Sequence, residues 1–306
     1  MGFKNGVEIT IQTRAKTVLS TANVRWWGER VKEHPDPRPL PYDPAWADII
    51  CEHIRAAVDR SGADGVILGL SGGLDSAVVA HLAVRALGPE RVAVVLLPSR
   101  TTPPGDMQDA RKMADRLGVE WEKINISRVV DMIKTLGGGY GGMALGNVQA
   151  RIRMVFIYYL ANGNNLLVLG TGNKTELLLG YFTKYGDGGS DMLPIGDLYK
   201  TQVRMLAGDI GVPEEIINKK PTAGLLPGQY DEDDLGYTYE VLDTVLWGIE
   251  RGLSDDEISE ETGIPLRDVH NIHKMVLRSA HKRGIGFVPK IGLRTVGIDW
   301  REDRTW

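Results

Sequence analysis

An apolar run, Gly65 to Leu70, leads without a break into Ser71-Gly72-Gly73-Leu74-Asp75-Ser76, and a helical pattern, Ala77 to Leu87, follows. Strand, glycine turn and helix start form the geometry in which backbone N–H groups at a helix amino terminus hold phosphate. The turn carries no lysine, whereas a Walker A loop, G-x-x-x-x-G-K-[ST], needs one on the outer phosphates. Ser71 and Ser76 offer hydroxyls instead, and Asp75 offers an oxygen ligand to a metal. That set suits a leaving pyrophosphate better than a transferred γ-phosphoryl group.

The surrounding pattern is that of an α/β chain. Apolar runs at 66–70, 92–97, 121–126 and 166–170 predict buried strands, and helical stretches are predicted at 45–60, 75–87, 106–117, 128–135 and 147–162. Alternation of this kind predicts a doubly wound parallel sheet with helices on both faces. Ligands then gather at the carboxyl ends of the strands. The Ser71 turn and the loop Gly170-Thr171-Gly172-Asn173 both follow strand ends, so they should face one crevice. Residues 232–283 read as a mainly helical carboxyl-terminal region, with Ser254-Asp255-Asp256-Glu257 as a capping box. The glycine- and aspartate-rich stretch 184–198 reads as a functional loop.

Composition narrows the role. Among 306 residues, 42% are hydrophobic, enough to bury a sizeable core, and 36 basic against 40 acidic side chains leave a net charge of −4. A weakly acidic chain argues against nucleic acid as the main partner. Residues 253–278 also resemble a helix-turn-helix, but its second helix is not strongly basic; two antiparallel helices with a glycine turn are the plainer expectation. The single cysteine, Cys51, excludes an intrachain disulfide and a C-x-x-C site, and its amphipathic stretch predicts a packing role. No apolar stretch approaches the roughly 20 residues of a membrane span, and Met1 to Thr13 lacks the apolar region of a signal peptide. A soluble, cytoplasmic chain is the expectation. Trp26-Trp27 reads as a pair of packing anchors, and five prolines between 35 and 44 predict an extended connector.

Ser71-Gly72-Gly73-Leu74-Asp75-Ser76 resembles the SGGxDS loop of the N-type ATP pyrophosphatases, shared by NAD, GMP and asparagine synthetases and several tRNA-modifying enzymes. Four further stretches resemble NAD synthetase more specifically: Leu169 to Glu176 continuing through Gly180 to Gly189, Gly146 to Met154, Pro221-Thr222-Ala223, and His281-Lys282-Arg283. GMP synthetase lacks the run Tyr181-Phe182-Thr183-Lys184. The resemblance implies a Rossmann-like fold and a ligase that adenylates deamido-NAD+ with ATP and then amidates it with ammonia, giving NAD+, AMP and diphosphate. It implies ATP contacts at Gly69, Leu70, Ser71, Gly72, Gly73, Leu74, Asp75, Ser76, Thr171, Lys200 and Thr222. It places Mg2+ on Asp75 and Glu176, and deamido-NAD+ on Arg151, Lys184, Asp187, Asp191, His281 and Lys282. Asp187 is the candidate base for ammonium, and Asp75, Glu176, Lys200 and Asp187 form the expected catalytic set.

The resemblance divides the chain into an extension and connector (1–44), a catalytic domain (45–290) and a tail (291–306). Gly172-Asn173 stands where the common bacterial form has an Asp-His pair. Leu96-Leu97-Pro98-Ser99-Arg100 lacks the arginine before the proline, leaving Arg100 either as its substitute or as a solvated side chain. The 44 residues before the first helix are too few for a glutaminase domain, so free ammonia, or ammonia from a separate glutaminase chain, is the implied nitrogen donor. The family implies a homodimer; apolar residues on more than one face of 147–162 (Val148, Ile152, Val155, Phe156, Tyr159, Leu160) suit an interface.

Overall fold

Val66, Ile67 and Leu68 are apolar at consecutive positions because strand β1 (Gly65–Gly69) is buried on both faces, as a central parallel strand must be. The computed structural model describes residues 39–300, apart from Ala223, Pro227, Ile285, Gly297 and Ile298. Trp26-Trp27, the first part of the proline-rich connector and the last six residues lie outside the described residues. In chain order the elements are α1 (Trp46–Ser61), β1, α2 (Leu74–Leu87), β2 (Val92–Leu96), α3 (Pro104–Leu117), β3 (Glu120–Lys123), α4 (Ser127–Leu136), α5 (Met143–Gly163), β4 (Leu166–Val168), α6 (Lys174–Leu179), α7 (Lys200–Asp209), α8 (Glu214–Ile217), α9 (Asp231–Leu235), α10 (Tyr239–Glu250), α11 (Asp255–Thr262) and α12 (Leu266–Ser279).

The strands form a parallel sheet in the order β3-β2-β1-β4. Alternate side chains divide two cores. Val66 and Leu68 of β1, with Val92, Val94 and Leu96 of β2, pack against α1, α2, α3 and α7. Ile67 and Val95 point the other way, against Val130 of α4 and Ile152, Ile157 and Ala161 of α5. The sheet is therefore doubly wound, as the sequence predicts. Cys51 lies buried on α1 in the first core. A third core joins α6, α9, α10, α11 and α12 through residues such as Leu179, Leu242, Ile258 and Ile272. Ile264 and Val269 of the helix-turn-helix-like stretch are buried there, so that stretch packs as a helical hairpin on its own domain.

Successive strands step outward from β1 to β3, and the next, β4, returns to the opposite side of β1. A sheet of this kind binds ligands at that reversal, outside the carboxyl ends of β1 and β4. Two strands end earlier than their apolar runs. Ile124 and Ile126 still donate to Leu96 O and Pro98 O, at 2.9 and 3.0 Å, but Pro98 has no N–H to return. Beyond Val168, Leu169 forms an isolated parallel bridge with Met192, and Gly170 N donates to Met192 O at 2.8 Å. The 184–198 stretch is thus tied to the sheet edge beside the crevice.

Candidate active site

The turn after β1 is built by its own serines. Ser71 N donates to Ser76 Oγ (3.2 Å), the two hydroxyls lie 3.0 Å apart, Ser76 Oγ donates to Gly73 O (3.0 Å), and Gly73 N donates to Ser71 Oγ (3.2 Å). Gly73 is the N-cap of α2, and no side chain caps that helix. Its first-turn N–H groups therefore point at the crevice with the positive end of the helix dipole, which is how backbone receives phosphate. Gly72 has φ +80°, and a Cβ on it would lie 2.2 Å from Asp106 O of α3. Only glycine lets the turn approach α3 this closely.

Across the reversal, α6 opens with Asn173 as N-cap. Its side chain accepts from Glu176 N (3.0 Å), and Glu176 Oε2 accepts from Asn173 N (3.3 Å), a complete capping box. Glu176 thus caps its helix with one oxygen and faces the crevice with the other, Oε1, 3.4 Å from Lys200 Nζ. Lys200 also donates to Asp75 Oδ2, and its ammonium lies 5.1 Å from the centre of the Tyr239 ring. Burial works against the charge on Lys200, but the carboxylates of Asp75, Glu176 and Asp231 outweigh it and hold the ammonium above the ordinary lysine range. Burial also pushes the Glu176 carboxyl up to about 8, with the negative charges of Asp75 and Asp231 adding to it and Lys200 opposing. Asp231 is raised by burial as well, and its Oδ1 has no hydrogen-bond partner. The carboxyl groups of Asp75, Glu176 and Asp231 thus surround one ammonium.

Most of the residues expected to hold deamido-NAD+ gather at a second place. Arg151 Nε of α5 donates to Lys184 O (3.2 Å), Lys184 Nζ to His281 O (2.8 Å), and Lys282 Nζ to Gly180 O (2.7 Å) and Phe182 O (2.8 Å). Asp187 Oδ1 accepts from Thr183 N (2.9 Å), and burial raises its carboxyl above the usual range. Asp191 stands apart: it accepts from Val168 N (2.8 Å) and Tyr158 Oη (3.0 Å), bonding the edge of β4.

These parts surround a cleft of about 290 Å³. Of the expected ATP residues, all but Gly72 line it, and Glu176 and Asp187 join them; Gly72 is turned onto α3. Arg151, Lys184, Asp191, His281 and Lys282 stand outside its wall. The cleft also contains groups to which the sequence reading gave no site role: Arg153, Lys219, Lys220, Tyr181 and Asp231. Arg153 Nε donates to Leu97 O at 3.0 Å, bringing a half-buried guanidinium to the end of β2, while Arg100 pairs with Asp131 of α4 in solvent. Arg153 lies two positions from Arg151 within the family-like stretch Gly146 to Met154, so its signal was present. Asp231 and Lys219 carry no local signal that separates them from surface charges.

The comparisons with known proteins agree with this geometry. The family model described as NAD synthase matches residues 46–286. An NH(3)-dependent NAD(+) synthetase from Archaeoglobus fulgidus is 49% identical over 79% of this chain and 95% of its own length. Among solved structures, an NMN synthetase from Francisella tularensis superposes with a TM-score of 0.73, 34% identical over 82% of this chain and all of the other. An NH3-dependent NAD synthetase from Campylobacter jejuni gives 0.70, with 31% identity over the same shares. With its cleft at the sheet reversal and most of its length matched, the chain belongs to the NAD synthase family.

Proposed function

We propose that the chain is an ammonia-dependent NAD+ synthetase, a ligase that joins deamido-NAD+ and ammonia at the expense of ATP. The observation that carries this reading is the meeting, in one cleft, of an uncapped helix amino terminus with Asp75, Glu176 and Lys200. In the first step an oxygen of the nicotinate carboxylate bonds to the α-phosphorus of ATP, the bond to the bridging oxygen breaks, and diphosphate leaves. In the second, the nitrogen of ammonia bonds to the acyl carbon, AMP departs with the carboxylate oxygen, and nitrogen gives up its proton to a base.

The α2 amides, Ser71 and Ser76 receive the phosphates, with Thr171, Thr222 and the cation of Lys200 beside them. This offsets the repulsion of two polyanions brought to one phosphorus. Arg151, Lys184, Asp191, His281 and Lys282 serve the acid substrate. Asp187 is the proton acceptor: it lines the cleft, and burial raises its carboxyl above the usual range, which makes it a better base than an exposed aspartate.

Mg2+ belongs to the same reading. Among the described residues no group of three or more His, Cys, Asp or Glu side chains forms a ready-made metal site. Mg2+ is ordinarily held by one or two carboxylates together with substrate phosphates. Asp75 and Glu176 would supply that pair, and the excess of carboxylate with an unpartnered Asp231 oxygen fits a cation. Bound there, the ion screens the phosphate charge. Residues 45–290 form the catalytic unit of this reading, active as a cytoplasmic homodimer; no helix among the described residues is long and apolar enough to cross a membrane.

The likeness to the Francisella protein favours one second reading, in which nicotinate mononucleotide is the acid that is amidated. Both are tested together. The chain is supplied with ATP, Mg2+ and either acid, with ammonium or glutamine added separately; the amidated product and AMP are measured. Formation of NAD+ and AMP from deamido-NAD+ with ammonium is expected. Amidation of the mononucleotide alone selects the second reading, and absence of AMP with either acid overturns both.

A further inference from the structure

Lys219 lines the cleft, yet its ammonium is spent on three acceptors away from the Asp75 cluster. They are Asp106 Oδ1 and Asp109 Oδ2, each at 2.7 Å, and the carbonyl oxygen of Gly72 at 3.0 Å. An ammonium has three donors, and all three are used. Burial works against its charge, but the hydrogen bonds to Asp106 and Asp109 outweigh it. Its partners lie 147 and 110 positions away in the chain, at Gly72 and Asp109.

The contact with Gly72 has a geometric consequence. A trans peptide unit is planar, so its C=O and N–H point to opposite sides. With the Gly72 carbonyl held on the α3 side, the N–H of Gly73 must face the other way, where it donates to Ser71 Oγ at 3.2 Å. Glycine on both sides of this peptide leaves it without a side chain to resist a flip. We infer that Lys219 is a positioning residue for the phosphate loop: by holding the Gly72 carbonyl against α3 it keeps the Gly73 amide turned toward the phosphate site. Thr222, three residues on from Lys219, lines the same cleft. The inference rests on the ATP-dependent reading above. Its rival is simple shielding, in which Lys219 only neutralises Asp106 and Asp109 near a polyanion.

The two ideas separate in Lys219→Met and in Lys219→Met combined with Asp106→Asn and Asp109→Asn. Loss of a charge-assisted hydrogen bond is expected to raise KM for ATP and Kd for diphosphate by about ten- to a hundredfold. KM for deamido-NAD+ should stay within about twofold, since uniform damage to the fold would move both substrates. The triple variant should remain as poor with ATP as the single one. Recovery of ATP and diphosphate binding in the triple variant overturns the inference in favour of shielding. If the single variant is unfolded, the triple variant, with no carboxylate left unpaired, carries the test: wild-type KM for both substrates overturns it. Diphosphate binding by titration calorimetry needs no turnover. An inactive wild-type chain therefore counts against the proposed reaction, while unchanged diphosphate binding in the variants counts against this inference alone.

Discussion

Asn173 Nδ2 donates to Asp75 Oδ1 across 3.1 Å, joining the amino-terminal turns of α2 and α6. The same side chain accepts from Glu176 N, so one fully buried amide touches both Asp75 and the first turn that carries Glu176. The sequence reading noted Gly172-Asn173 as a departure from the bacterial pattern. The structure gives Asn173 a positive role, since one amide side chain both caps α6 and donates to Asp75.

Replacing Asn173 by alanine should remove the α6 cap and leave Asp75 one donor short. A lost cap costs about 1 kcal/mol, and the lost hydrogen bond to the half-buried Asp75 about 0.5–1.5 kcal/mol more. Urea unfolding should report a destabilisation in that combined range, with a fall in turnover measured alongside. Asn173→Asp should restore most of the stability but not the turnover, because it sets a second carboxylate against Asp75.

The Glu176 carboxyl, pushed up to about 8 by burial, keeps a proton that the unfolded chain loses near the ordinary glutamate value of 4.5. The stabilisation is complete below the unfolded value and is lost as pH rises through about 8, with a limiting slope of about 1.4 kcal/mol per pH unit for one proton. Asp243, raised to about 6 by burial, adds the same sign over the lower part of the window. Unfolding free energies measured across this range should therefore decline with pH in the free protein, and Glu176→Gln should flatten the upper part. A rising curve through pH 8 would contradict the buried-carboxyl assignment.

Gly72→Ala should be far worse than Gly73→Ala. The first puts a Cβ 2.2 Å from the Asp106 carbonyl at a φ of +80°; the second meets only the Ser71 hydroxyl, at 3.3 Å. The backbone conformation alone costs an alanine about 1–2 kcal/mol, before the clash is counted. Thermal unfolding and KM for ATP should both separate the two variants; equal behaviour would mean the turn does not rest on α3 as described.

Val155 and Tyr159 of α5 are 67% and 73% exposed, and Met132 and Leu136 of neighbouring α4 are 55% and 81% exposed. If this apolar face is the homodimer contact, Val155→Glu with Tyr159→Glu should halve the mass measured by light scattering. An unchanged mass would move the interface elsewhere or remove it.

The α/β class, the winding of the sheet and the glycine turn between β1 and α2 were legible because their signals are local. Strand, glycine and helix follow one another over residues 65–87, and the alternation of Val66, Ile67 and Leu68 between two cores needs only the pleat of one strand. Asp75, Glu176 and Lys200 were named through motif resemblance, and the structure brings them together. Strand ends were less legible, because Pro98 and Met192 act from neighbouring segments.

By itself, the order of residues determined which elements form and where the glycine turn opens α2, since propensity, glycine freedom and capping act within a few residues of chain. Tertiary structure alone decided the partners. Lys200 meets Asp75 from 125 positions away, Lys219 reaches Gly72 from 147, and Asp231 joins the same cluster from the start of α9. The energy of such contacts depends on burial and on distance through space, and neither quantity is written in the spacing of residues along the chain.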